Sequence, residues 1–84
     1  MNNIYFLKNE FTEYQKKINC MSKPNLLEEE ANWREKTDID GFDFNSIKKG
    51  LIIYKALHSL AVTASLKALS ESKIRHLNRL KGEL

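Results

Sequence analysis

The chain has 84 residues, a net charge of +3, 42% hydrophobic and 30% charged residues, the make-up of one ordinary globular domain, 1–84, with an expected stability of about 4–12 kcal/mol. Three glycines and one proline leave few places to turn strands, so the composition favours helices. The single cysteine, Cys20, excludes an internal disulfide framework and is expected to sit as a small buried apolar group in a reducing, cytoplasmic setting.

Charge is unevenly spread. Residues 1–27 carry +2 (four basic, two acidic), residues 28–43 carry −5 (two basic, seven acidic), and residues 44–84 carry +6 (eight basic, two acidic). The acidic middle and the basic C-terminal half suit mutual attraction, within the chain or between copies, or different partners. The apolar run 4–7 is too short and lacks a basic leader for a secretory signal. The run 51–69 is long enough to span a bilayer but carries Lys55, His58 and Lys67, so no membrane segment is expected.

In chain order, Ile4, Leu7, Phe11, Tyr14, Ile18 and Met21 recur every three or four residues and predict a helix over 3–21 with one narrow apolar seam. Asn2 or Asn3 can cap it. Tyr5 and Phe6 lie off the seam and are candidate protein contacts. Pro24 ends this helix. Asn25, with Glu28 three residues on, then suggests a capping box for a second helix over about 26–36, anchored by Trp33, with Glu28, Glu29 and Glu30 solvated at its start.

Residues 37–43, TDIDGFD, bring Asp38, Asp40 and Asp43 close together, but neither register satisfies an EF-hand: Ile47 or Lys49 would stand where the bidentate glutamate belongs. The stretch reads instead as a turn at Gly41, an N-cap at Asp43, and Phe42 stapled over Ile47.

The long segment from Phe44 to about residue 69 is predicted to be the central helix of the fold. Ile47, Gly50, Leu51, Ile53, Tyr54, Leu57, His58, Leu60, Ala61, Val62, Ala64, Ala68 and Leu69 fall on one wide arc, and Lys48, Lys55, Ser59, Thr63, Lys67 and Ser70 fall opposite. Gly50, Ala61, Ala64 and Ala68 make a small-residue strip that suits close approach of Phe11 and Tyr14. Ile52 and Leu66 stray onto the polar side and are candidate interface residues. Beyond residue 69 the apolar phase shifts to Ile74, Leu77, Leu80 and Leu84. A break at 70–72 and a fourth helix over about 72–81, ended by Gly82, are therefore predicted.

Catalytic chemistry finds little support. His58 lies amid apolar positions and reads as a hydrogen-bonded core histidine, His76 lies elsewhere, and neither has a zinc-like partner spacing. There is no glycine-rich phosphate loop and no glycine-flanked serine nucleophile. Neither an enzyme nor a cofactor or metal site is expected.

These residues point to an all-α protein, a small three- or four-helix bundle around the helix at about 44–69, whose apolar stripes offer surface for a second copy. The expected function is binding to another protein, as an inhibitor, an immunity or antitoxin-like factor, a phage-type host modulator or a secretion-type chaperone. Its candidate contacts are Tyr5, Phe6, Glu28, Glu29, Glu30, Ile52 and Leu66. The alternative is a nucleic-acid-binding regulator whose last helix presents Lys73, Arg75, Arg79 and Lys81, although no helix-turn-helix or ribbon-helix-helix arrangement is present.

Overall fold

The computed structural model describes the backbone of residues 2–61 and 63–83, and side chains for residues 11–61 and 63–83. Four helices follow one another: α1 (Asn2–Asn19), α2 (Lys23–Asp40), α3 (Phe44–Leu60) and α4 (Ala64–Glu83). There is no strand among the described residues. The chain is an all-α bundle. Helix α3 packs most extensively against α4, then α2, then α1. The buried cluster reflects this, since Ile47, Leu51, Ile53, Tyr54, Ala56 and Leu57 of α3 meet Ile18 of α1, Leu26 of α2 and Leu77 of α4.

The helix boundaries differ instructively from expectation. Helix α2 begins at Lys23 rather than Leu26, because Pro24 occupies the first turn, where its missing N–H costs no hydrogen bond. Ser22 is the N-cap residue in place of Asn25; its side chain makes no cap bond, while its carbonyl accepts from Leu26 N–H at 2.9 Å. The helix continues past Lys36 to Asp40, where Gly41 turns the chain at φ +80° and returns its N–H to Thr37 O at 2.9 Å. Buried Thr37 satisfies its hydroxyl by donating to Arg34 O at 3.0 Å.

At the start of α3, Asp43 caps as expected. Its carboxylate accepts from Ser46 N–H at 2.7 Å, and Ser46 Oγ accepts from Asp43 N–H at 2.9 Å, a reciprocal box. This pairing holds the Asp43 carboxyl below the usual carboxylate range, chiefly through the Ser46 N–H. Phe42 packs beside Trp33, with ring centroids 6.1 Å apart, and half of its surface stays open.

The largest correction concerns the central helix, which ends at Leu60 and not near residue 69. Ala61 adopts an extended backbone (φ −70°, ψ 123°), and Thr63 starts α4 by accepting from Leu66 N–H through Oγ1 at 3.2 Å. The predicted break at 70–72 is instead helix. Ser70 is buried within α4, and its hydroxyl donates to the carbonyls of Leu66 (2.9 Å) and Lys67 (3.0 Å), which hides a polar residue inside a helical stripe. The inward face of α4 is therefore Leu66, Ser70, Ile74 and Leu77, while Leu69 is half exposed and Ala64 and Ala68 face solvent. Gly82 lies within α4 and does not end it.

The small-residue strip is dispersed by the same change. Gly50 meets a close neighbour, and that neighbour is Trp33 rather than Phe11 or Tyr14; Ala61 is buried, while Ala64 and Ala68 face solvent. A Cβ at Gly50 would collide with Trp33 Cζ2 and lie 2.9 Å from Leu77 Cδ1. Here α2, α3 and α4 meet. The indole is fixed by donating from Nε1 to Ser46 O at 2.7 Å and by an edge-on contact with Tyr54 at 5.6 Å.

Candidate functional site

Among the described residues, the expected contact residues do not form one surface. Tyr5 and Phe6 lie outside the residues whose side chains are described. Glu28 is exposed, but Glu29 and Glu30 serve the fold instead of standing solvated at a helix start. Glu29 accepts from Tyr14 OH at 2.8 Å and Glu30 accepts from Tyr54 OH at 2.6 Å, so α2 is tied to α1 and to α3. Arg34 Nη2 also approaches Glu30 at 3.7 Å. Burial, and then the adjacent carboxylates, hold both tyrosine hydroxyls above the ordinary phenol range. Leu66 is half-buried on α4, and the end of α3 at Leu60 puts it on a different helix from Ile52.

Ile52 leads to a concave feature. A groove of about 1060 Å³ runs between α1 and α3, with Asn78 and Lys81 of α4 at its edge. Its apolar surface comes from Phe11 and Ile18 of α1 and from Phe44, Leu51, Ile52, Ala56 and Leu60 of α3. Thr12, Gln15, Asn19, Ser59 and Asn78 supply neutral polar groups, and Lys48, Lys55 and Lys81 supply positive charge. No carboxylate lines it among the described residues.

Lys48 Nζ lies 5.7 Å from the centroid of Phe11 and 6.0 Å from that of Phe44, which places the ammonium across the groove's aromatic end. Lys55 and Lys81 are exposed and have no ion-pair partner among the described residues. The groove was hidden in the sequence because its residues come from three helices whose relative placement no local pattern fixes. The visible trace was Ile52, an apolar residue among lysines.

The basic candidates separate into two groups. Ser72, Lys73, Arg75, His76 and Arg79 line a shallow depression of about 450 Å³ on the outer side of α4. Lys81 belongs to the groove instead. None of Lys73, Arg75 or Arg79 has a carboxylate partner among the described residues.

Two further expectations shift. His58 is hydrogen-bonded, its Nε2 lying 3.0 Å from Glu71 Oε1, but it sits at the half-exposed edge of the α3–α4 contact and not in the core. Cys20 is exposed, because α1 ends at Asn19 and the residue falls in the turn to α2. Among the described residues, no group of three or more His, Cys, Asp or Glu side chains is arranged to hold a metal ion. None of the described helices is long and apolar enough to cross a membrane. Comparison of the chain with protein-family models, curated proteins and solved structures finds no match to any of them.

Proposed function

We propose that this chain acts without catalysis by binding another protein through the groove between α1 and α3. The observation that carries the reading is the groove's make-up, an apolar floor flanked by lysines with no carboxylate lining it among the described residues. Apolar ground of this kind is the usual core of a protein-binding patch, and a polar rim excludes water around it. An inhibitor, an immunity or antitoxin-like factor, a phage-type host modulator and a secretion-type chaperone all fit this description. A cytoplasmic setting agrees with the exposed thiol of Cys20, which an oxidising compartment would modify or pair.

The test is site-specific photo-crosslinking in native cells, with a benzophenone side chain in place of Ser59 in the groove or of Asp38 on exposed α2. A specific host protein captured from position 59 and not from 38 is the expected result. Equal capture from both positions, or none from 59, overturns the reading.

The convergence of Lys73, Arg75 and Arg79 on one depression favours a second reading, a nucleic-acid-binding regulator. It requires DNA or RNA binding that weakens steeply with salt and is lost in the double variant Arg75→Glu, Arg79→Glu. Binding retained in that variant removes it. Lys81 falls outside this surface and is not needed for it.

A further inference from the structure

The α3 side of the groove extends from Phe44 to Leu60, about 24 Å of helix. Lys48 and Lys55 stand along it two turns apart, about 10.5 Å at the helical rise, and Lys81 adds a third charge from α4. An occupant that matches this surface is elongated, apolar along one stripe, and negative at several points along its length. A fatty acid carries its one charge at an end. A sugar-phosphate backbone has the distributed charge but gains nothing from Ile52 and Leu60. An amphipathic helix has both properties, with apolar residues at i, i+3 or i+4 and i+7 and carboxylates flanking them.

We propose that the groove takes an acidic amphipathic helix from a partner protein, laid along α3 with carboxylates facing Lys48, Lys55 and Lys81. This rests on the protein-binding reading above and adds the chemistry of the partner. The helix fills the gap that α1 and α3 leave between them, as one more member of the bundle. The lysines set its sign, because an occupant with lysines at the same flanking positions meets like charge along the whole groove.

The experiment uses the full chain and two synthetic peptides of about 20 residues, long enough to lie along α3. Both carry the same leucine stripe, one flanked by glutamates and the other by lysines, and binding is measured by isothermal titration calorimetry at low salt. The acidic peptide is expected to bind at least about tenfold more tightly, with the difference shrinking as salt is added. Lys55→Glu with Lys81→Glu, both exposed positions, is expected to reverse the preference, with circular dichroism confirming the fold. Equal binding of the two peptides, or a preference that survives the charge reversal, overturns the proposal.

Two other results also overturn it. One is binding to phosphatidylglycerol vesicles that is lost on charge reversal, with no peptide binding, which assigns the groove to a membrane surface. The other is a dimer in sedimentation equilibrium that Leu60→Glu dissociates, which assigns the groove to a second copy. Capture of a host protein from position 59 that Leu60→Glu abolishes and charge reversal leaves intact removes the acidic helix alone, and the protein-binding reading stands. No capture from position 59 removes that reading itself.

Discussion

Helix α3 is closed on one side and open on the other. Toward α2 and α4 its surface is interlocked: Trp33 fills the space over Gly50, donates to Ser46 O and meets Tyr54 edge-on, while Tyr54 reaches Glu30. Toward α1, among the described residues, Ile18 is fully buried, Tyr14 and Met21 pack partly buried beside it, Tyr14 bonds Glu29, and the groove opens alongside them. One helix thus serves as core and as surface along its whole length. Substitutions on the closed side are expected to cost stability, and those on the open side to leave it nearly unchanged while altering binding.

The largest effect is expected at Trp33. Trp33→Ala removes the ring that separates α2 from α3 and strips Ser46 O of a partner, for a loss of about 3 kcal/mol. Urea denaturation followed by circular dichroism measures it, and a loss below about 1 kcal/mol would mean that α2 is held mainly by its tyrosine bonds. Gly50→Ala comes next. Alanine favours a helix by about 1 kcal/mol, but its methyl meets an indole fixed by a hydrogen bond, and overpacking costs about 1–3 kcal/mol. The net result is expected to be a lower urea midpoint, whereas a raised midpoint would show that the indole yields.

These two residues also mark how far the sequence could be read. Trp33 as the anchor of α2, the cap at Asp43, the turn at Gly41 and the two-faced character of α3 were all legible, since each depends on residues within one or two turns of chain. The end of α3 at Leu60 and the start of α4 at Ala64 were not. Thr63 lacks the glutamate three residues on that would signal a capping box, and Ser70 looks like punctuation although its hydroxyl is satisfied inside α4. The roles of Glu29 and Glu30 are hidden for a similar reason, because a run of three glutamates looks solvated until tyrosines from two other helices reach it. The groove is a property of α1, α3 and the end of α4 together, and only Ile52 points to it in the sequence.

A smaller effect is expected from pH. Both Tyr14 and Tyr54 have hydroxyls raised above the ordinary phenol value, so the folded state favours their neutral form. That stabilisation is complete below the unfolded phenol's pKa of about 10 and is lost as pH rises from there through the raised folded value. The urea midpoint is therefore expected to fall above about pH 10, and the fall to shrink in Tyr14→Phe with Tyr54→Phe. An unchanged alkaline limb in the double variant would assign the loss to other groups.

The smallest change is expected on the open side. Lys55→Glu, Lys81→Glu and Leu60→Ala should each move stability by no more than about 0.5 kcal/mol. A larger cost from any of them would show that the groove's rim is part of the fold, and would erase the contrast between the two sides of α3.

Trp33 is the chain's single tryptophan, and it sits entirely on the closed side. Its intrinsic fluorescence, excited at the red edge where tyrosine does not absorb, therefore reports the α2–α3 junction rather than the attachment of α1. Far-UV ellipticity sums over all four helices. Followed together through one denaturation, the two signals separate the detachment of α1 from the collapse of the remaining three helices, and so time the opening of the groove against the loss of the core.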